Sequence, residues 1–180
     1  MFYIPLQQYL FTNLKIEKMK KLLFLTVSLI SISFFSCGGG STSLSPKAFN
    51  DSAISIFKEA NKIMDAFDAQ ITAGVKSNDL ASITGAAESA STEIDAQIEK
   101  MTALVAPQGG EEYKGAVLKT LETVKSIIET GKKYGNLKEG YSNNEFKALE
   151  KEYNNKRKQL SNELKDVGAA ASTFLKANGK

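Results

Sequence analysis

Apolar residues recur at steps of three and four along four long segments, and this spacing predicts four amphipathic helices. The predicted helices span residues 46–75, 79–105, 111–134 and 143–177. Ser45 and Pro46 fit the N-cap and first position of the first helix. Ser142 and Glu145 fit a capping box at the start of the fourth. Because short connections make neighbouring helices antiparallel, the sequence predicts an all-α, antiparallel up-down-up-down four-helix bundle over residues 46–178.

Two features interrupt the regular pattern. Ala81–Thr92, the first half of the second predicted helix, is rich in Ala, Ser, Thr and Gly. Small side chains let two helices approach closely, and the alternative is that they leave room for an apolar ligand. In the fourth helix the apolar stripe is weakest at Lys156 and Arg157, where two charged residues stand near the inward face.

A different pattern precedes the first helix. Lys20 and Lys21 are followed by an uncharged run, Leu22–Ser36, then by one cysteine and three glycines. A secretory signal has a basic start and an apolar stretch of roughly 7–15 residues. The run falls short of the roughly 20 apolar residues that a membrane-spanning helix needs. Residues 19–36 are therefore predicted to be a signal peptide, and residues 37–45 to begin with the processed cysteine and continue as a Gly/Ser tether.

The end of this run resembles the lipobox of bacterial lipoproteins. Ser36 is the small residue directly before Cys37, and Phe34 stands where the family usually carries leucine. The resemblance implies cleavage before Cys37 and lipidation of that residue as a diacyl or triacyl cysteine, which gives a stable membrane anchor. Cys37 is the only cysteine, so an internal disulfide is excluded. Because a complete signal begins at Met19, residues 1–18 are expected to be a gene-prediction extension.

The excess positive charge belongs to this leader. The chain has 23 basic and 20 acidic residues, and residues 1–36 hold four lysines and one glutamate, which leaves 19 of each sign. A neutral domain has no excess positive charge to neutralise a phosphate backbone, so no nucleic-acid partner is expected. The remaining 144 residues have the length of one ordinary domain.

Catalytic signals are missing from the sequence. There is no histidine, the commonest general base and metal ligand, and the lone cysteine is expected to be acylated. No nucleophile-elbow or phosphate-binding glycine motif is present. The remaining candidates are three carboxylate pairs, interpreted as solvent-facing charge: Asp65 and Asp68, Glu111 and Glu112, and Glu150 and Glu152. The sequence therefore predicts a protein that is not an enzyme, with no catalytic residue, metal site or cofactor.

Topology indicates where a partner would bind. The first helix begins at the tether, so the turn at 75–79 and the connection at 132–144 share the end of the bundle far from the membrane. Binding residues concentrate on loops held by rigid scaffolds, and tyrosine is favoured at contact surfaces. The predicted partner-contact residues are Lys76, Lys133, Tyr134, Lys138 and Tyr141. The alternative is that the two tyrosines only close the end of the bundle.

The lipobox and the helical pattern together make the mature chain resemble helical surface lipoproteins of spirochaetes and Bacteroidetes. The resemblance rests on the leader, the size and the helical periodicity. It implies an envelope protein without catalysis, lipid-anchored and expected at the outer membrane. Surface-exported Bacteroidetes lipoproteins often carry acidic residues after the cysteine, and Gly38–Ser45 has none. Periplasm-facing and outward-facing positions both stay open.

Two functional classes fit these features. The first is a non-catalytic binding or structural module, held at the membrane through its acyl chains, with an unknown protein or envelope partner. The second is a carrier that holds a small apolar ligand inside the bundle. A continuous apolar cavity would favour the carrier, and a filled core would favour the binding module. An inhibitor or immunity-type protein is a third, minor possibility.

Overall fold

A computed structural model describes residues 44–137 and 140–179 of the chain, and these residues form four helices and no strand. The helices are α1 (Pro46–Ser77), α2 (Ala81–Ala103), α3 (Glu111–Gly135) and α4 (Asn143–Ala177). Their packing is that of a four-helix bundle, so the predicted all-α fold is confirmed. The leader and two predicted functional residues, Cys37 and Lys138, lie outside the described residues.

The two predicted helix starts are confirmed with their capping bonds. The Ser45 hydroxyl accepts a hydrogen bond from the Ala48 backbone N–H at 3.2 Å, and Pro46 follows at the first helical position. At the start of α4 the Glu145 N–H donates to the Ser142 hydroxyl at 3.2 Å. The Ser142 N–H donates in return to the Glu145 carboxylate at 2.7 Å. These bonds satisfy backbone donors that the first turn of a helix otherwise leaves without partners.

The turn between α1 and α2 differs from the prediction by two residues on each side. α1 continues to Ser77 rather than ending at residue 75, because the chain leaves the helix at Asn78, in a left-handed conformation with φ of 59°. Asparagine is one of the few residues other than glycine that adopts this conformation readily. α2 starts two residues later than predicted, at Ala81, and the Asp79 carboxylate accepts a hydrogen bond from the Ser82 N–H at 3.3 Å.

α2 also ends two residues earlier than predicted. The helix ends at Ala103 rather than at residue 105, because Leu104 has extended backbone with ψ of 126°. The chain then reaches Pro107, which cannot donate a backbone hydrogen bond and disfavours helix in the residue before it.

Aromatic contacts at the two ends of the bundle show the antiparallel order. Phe49, near the start of α1, meets Tyr113 at the start of α3 with ring centroids 5.8 Å apart. It also meets Phe174 near the end of α4, at 5.7 Å. At the opposite end, Tyr134 of α3 lies 5.3 Å from Phe146 of α4. α1 and α3 therefore run in one direction and α4 runs in the other.

Side-chain size sets the spacing of the helices. α2 packs closely on α3, and its inward positions include the buried small residues Ala87 and Ala90. We call the end of the bundle opposite the start of α1 the distal end. There, the backbone of Gly135 in α3 approaches Thr84 so closely that a Cβ on the glycine would lie 2.2 Å from the threonine hydroxyl oxygen. The backbones of α1 and α4 stay farther apart, and long side chains bridge the space. Ala87 and Ala90 thus contribute to close helix packing, whereas Gly85 of the same helix is exposed.

The helices differ in how much of their length is buried. α3 is the most central, with eleven of its 25 residues buried, whereas α4 has only five buried residues among 35. All five lie at or after Leu160, so the first half of α4 is held by half-buried side chains and polar contacts. None of the four helices is long and apolar enough to cross a membrane.

Candidate functional site

The concave feature of interest lies at the distal tip, where the turn between α1 and α2 faces the connection between α3 and α4. This tip groove has a volume of about 370 Å³ and opens to solvent. Its lining combines apolar and polar residues: Asn78, Asp79, Leu80, Ala81, Gly135, Leu137, Gly140 and Tyr141.

Local backbone features build the groove. Asn78 and Gly140 both have positive φ, 59° and 82°, and so turn the chain sharply on the two sides of the groove. Gly135 lines the groove as well, and a Cβ on it would lie 3.0 Å from the carbonyl oxygen of Leu80. The groove therefore depends on residues that permit tight turns and close backbone approach.

A chain of contacting aromatic rings leads from Tyr141 at the groove along α3 and α4. Tyr141 stacks on Phe146 with centroids 5.9 Å apart and an interplanar angle of 26°. Phe146 meets Tyr134, which in turn lies 6.3 Å from Tyr153. These rings connect the rim of the groove to the bundle interior, and offset and edge-on pairs of this kind stabilise packing.

The aromatic chain ends at a polar cluster that bridges α1 and α4. The Tyr153 hydroxyl donates a hydrogen bond to Asp68, and the Arg157 guanidinium lies 3.0 Å from the other carboxylate oxygen. Burial raises the pKa of the Asp68 carboxyl, and this effect exceeds the opposing attraction of Arg157. Burial likewise raises the pKa of Tyr153, with further contributions from Asp68.

The predicted contact residues occupy different environments at this end. Lys76 is exposed on the last turn of α1, and Tyr141 is half-buried at the rim of the groove. Lys133 is also exposed, but its ammonium lies 2.7 Å from the carboxylate of Glu152, whose pKa this hydrogen bond lowers. Lys138 is outside the described residues. Lys76 and Tyr141 are thus the described members available to a partner without breaking an internal contact.

Tyr134 has a different placement from the other predicted contact residues. Its side chain is only 4% exposed and packs between Phe146 and Tyr153. Burial raises its pKa, with smaller contributions from neighbouring carboxylates. This is the arrangement expected of a residue that closes the end of the bundle, so any part it plays in a contact is to support Tyr141 through Phe146.

Leu80 and Leu137 line the groove and were not among the predicted contact residues. Leu80 falls within the predicted second helix, 79–105, and Leu137 within the predicted connection at 132–144. Both are half-buried and pack against the core. The signal that could have indicated them is a leucine placed within or directly beside a turn.

A second polar cluster lies between α3 and α4. Glu163 is only 4% exposed, and one of its carboxylate oxygens accepts a hydrogen bond from Gln159 at 3.0 Å. Lys119 lies 3.6 Å from the same oxygen. The other oxygen has no partner among the described residues. Nearby, Lys156 donates to the hydroxyl of Ser126, so the predicted polar interruption of the α4 stripe serves the contact with α3.

The carboxylate pairs do not converge on a common point. Asp68 is engaged by Arg157 and Tyr153, while Asp65 is exposed. Glu111 and Glu112 are exposed in the first turn of α3. Within residues 44–137 and 140–179, no group of three or more His, Cys, Asp or Glu residues is placed to hold a metal ion.

Comparison with known proteins adds no relative to this geometry. No protein-family profile, curated protein or solved structure matches the chain.

Proposed function

We propose that this protein is a lipid-anchored envelope lipoprotein whose helical bundle is a non-catalytic binding module for a protein or envelope partner. The observation that carries the proposal is the tip groove, which combines Leu80, Leu137 and Tyr141 with polar neighbours at the distal end. The groove brings the half-buried side chains of Leu80, Leu137 and Tyr141 together at one open surface. Binding residues concentrate on loops held by a rigid scaffold, and the groove lies between two such connections.

The membrane location in this proposal is argued from the sequence alone. The basic, apolar and small-residue order of residues 19–36 and the position of Cys37 favour processing and acylation. Two or three acyl chains would hold the domain at the membrane, with the outer membrane as the expected location. The Gly/Ser tether of residues 38–45 would keep the domain close to the bilayer.

A carrier of a small apolar ligand has less support. The volume of the tip groove is open to solvent and partly polar, whereas a carrier needs an enclosed apolar space. Among the small residues of α2, which are the reason to consider a carrier, Ala87 and Ala90 are buried in the core.

The tip is tested with single alanine variants of the full chain. Partners captured by crosslinking in native envelopes are identified first, and their affinity for each variant is then measured. Tyr141→Ala and Leu137→Ala should weaken binding about tenfold or more, because each removes a ring or branched side chain from the groove.

Val105→Ala provides the matched control, because Val105 is 44% exposed in the connection at the opposite end of the bundle. It should leave the affinity unchanged, and circular dichroism should show the same helicity in all variants. Equal affinities for the tip and control variants would reject the tip as the binding site.

The anchor is tested separately by mass spectrometry of the native product. We expect a chain that begins at Cys37 and carries the mass of two or three acyl groups. Cys37→Ala should leave the leader attached and remove acylation. A native product with an unmodified cysteine would refute the lipoprotein assignment and leave the tip experiment unaffected.

A further inference from the structure

A row of lysines runs along the outward side of α4. The row consists of Lys147, Lys151, Lys158, Lys165 and Lys176, and we call it the lysine crest. At 3.6 residues per turn the five positions fall within about 40° of each other around the helix. All five side chains are exposed. At 1.5 Å per residue the crest extends for about 44 Å along the bundle.

The charges of the crest are not balanced by nearby carboxylates. In the described part of the chain, no crest ammonium has a carboxylate within 4.0 Å. Lysines on α3 behave differently, since Lys125 and Lys132 each pair with a carboxylate of α2. By the same helical geometry, the acids of α4 lie about 60° or more away from the first crest residue. The crest is therefore a row of five positive charges, and the basic and acidic residues of residues 37–180 balance only when these five are counted.

The side chains between the lysines limit the kinds of partner. The crest positions between them are small or polar, namely Asn154, Asn162, Ala169 and Ser172. With no large apolar side chain, the crest cannot insert into a hydrophobic groove, and with no aromatic ring it cannot stack on bases. Lysine ammonium groups act as compact point charges that suit phosphate groups.

The shape of the crest favours a flat partner. α4 has five buried residues among 35, and its five crest lysines form one row of exposed charges about 44 Å long. A row of this length on one side of a helix can meet a plane at all of its charges, whereas an acidic protein would need a complementary surface of the same length. The partner that presents phosphate charges in a plane is a bilayer of anionic phospholipids.

We propose that the lysine crest docks the bundle side-on against an anionic phospholipid surface. The inference rests on the proposed function, because the lipid anchor proposed there is what places the domain next to a membrane. Each lysine near such a surface strengthens binding about fivefold, and the attraction declines within a Debye length of about 8 Å at physiological salt.

The proposal is tested by lysine acetylation of the full chain bound to vesicles, read for each lysine by mass spectrometry. One set of vesicles is phosphatidylcholine and the other is phosphatidylcholine mixed with phosphatidylglycerol. The crest lysines should be acetylated about fivefold more slowly on the anionic vesicles, and this protection should disappear at about 1 M salt, where the Debye length is about 3 Å. Three exposed lysines of α1 and α2 serve as internal controls: Lys58, Lys62 and Lys100.

A pair of matched variants separates position from net charge. The crest variant combines Lys151→Gln, Lys158→Gln and Lys165→Gln, and the control variant combines Lys58→Gln, Lys62→Gln and Lys100→Gln. Both lose three positive charges from exposed helical positions. Only the crest variant should lose the protection of Lys147 and Lys176 on anionic vesicles.

Equal acetylation of crest and control lysines on anionic vesicles would overturn the proposal. Protection by soluble polyphosphate without protection by anionic vesicles would also overturn it, and would assign the crest to an extended polyanion. Flotation of the chain with neutral vesicles reports the anchor alone. A chain that floats with neutral vesicles but shows no crest protection on anionic vesicles has a working anchor and contradicts the crest proposal alone. A chain that does not float with neutral vesicles contradicts the anchor alone.

Discussion

Glu163 is a charged residue on the inward face of α4, three positions after Leu160 and four before Val167, and it is one of the five buried residues of that helix. Gln159 and Lys119 reach one of its carboxylate oxygens, and the second has no partner among the described residues. A buried carboxylate with incomplete hydrogen bonding stabilises a fold less than an apolar side chain of similar size. We therefore expect the bundle to be less stable with Glu163 than with an apolar side chain at the same position.

Replacing this carboxylate should stabilise the bundle. We expect Glu163→Met to raise the free energy of unfolding by about 1 kcal/mol, because methionine fills a similar volume without a charge to desolvate. Urea denaturation of the full chain measures the change, with Glu122→Met at an exposed position of α3 as the control. A lower stability for Glu163→Met would mean that the carboxylate has a satisfied partner.

The same glycine-to-alanine substitution should have opposite effects at two positions. A Cβ on Gly135 would lie 2.2 Å from the Thr84 hydroxyl oxygen and 2.9 Å from the Thr84 backbone nitrogen, so Gly135→Ala should destabilise by about 1–3 kcal/mol. A Cβ on Gly168 meets nothing within 4 Å, so Gly168→Ala should stabilise by about 0.5–1 kcal/mol through reduced backbone entropy. Thermal melts of both variants measure the difference, and shifts in the same direction would contradict it.

Tyr113 should make the fold sensitive to alkaline pH. Burial raises the pKa of its hydroxyl from 10.0 to about 12, and the hydroxyl donates to Asn50 at 3.3 Å. Below pH 10 the proton is retained in both states and the stabilisation is complete. Between pH 10 and about 12 the unfolded chain loses the proton first, so the free energy of unfolding falls.

Comparison with Tyr113→Phe isolates this contribution. Near pH 12 the parent chain should have lost about 2 kcal/mol more than the variant, both relative to their stability near pH 9. Urea denaturation at the two pH values measures the difference, and Tyr141→Phe at the groove rim is the control. Equal losses in the parent chain and Tyr113→Phe would show that this hydroxyl does not control the alkaline transition.

At the scale of the element, α4 is the least buried helix and depends most on its own local signals. Its first half contains no buried residue, and its start is fixed by the capping box of Ser142 and Glu145. The box lowers the pKa of Glu145, because the Ser142 backbone N–H and then its hydroxyl bond to the carboxylate. The contact with α3 adds polar links such as Lys133 to Glu152.

Removing the cap should weaken α4 measurably. Ser142→Ala is expected to lower the free energy of unfolding by about 1 kcal/mol, because the Glu145 N–H loses its acceptor. Ser172→Ala, an exposed position in the same helix, should change stability by less than about 0.5 kcal/mol. If both substitutions had the same effect in thermal melts, the capping bond would contribute nothing.

For the whole molecule, the distribution of burial indicates where the bundle opens first. α3 is central, α2 is held closely by small residues, and α4 is bound by its second half. The aromatic trio of Phe49, Tyr113 and Phe174 closes the end next to the expected tether. The distal half of α4 instead rests on half-buried rings and ion pairs, so we expect local opening to start there.

Hydrogen exchange of the full chain tests this order. Backbone amides of residues 147–158 should exchange faster than those of residues 160–174, because only the second segment contains buried side chains of α4. Amides in the middle of α3 should be the slowest and serve as the internal reference. Uniform protection along α4 would mean that its contact with α3 opens as one unit.

The amphipathic spacing determined the four helices, and Ser45, Pro46 and the capping box determined two of their starts. These features are local, since each depends on residues within a few positions in the chain. Errors occurred at both ends of α2 and at the end of α1, where backbone conformations at Asn78 and Leu104 decide the boundary. The position of the distal tip followed from helix order alone.

Tertiary structure alone decided which side chains at the tip are accessible. It buries Tyr134, pairs Lys133 with Glu152 and adds Leu80 and Leu137 to a groove, because these outcomes depend on how closely separate helices approach. The alignment of the lysine crest follows from the period of one helix, yet its outward direction depends on packing against α3. Sequence determined the elements because their signals are local, and the fold determined the surfaces because exposure is set by contacts between distant residues.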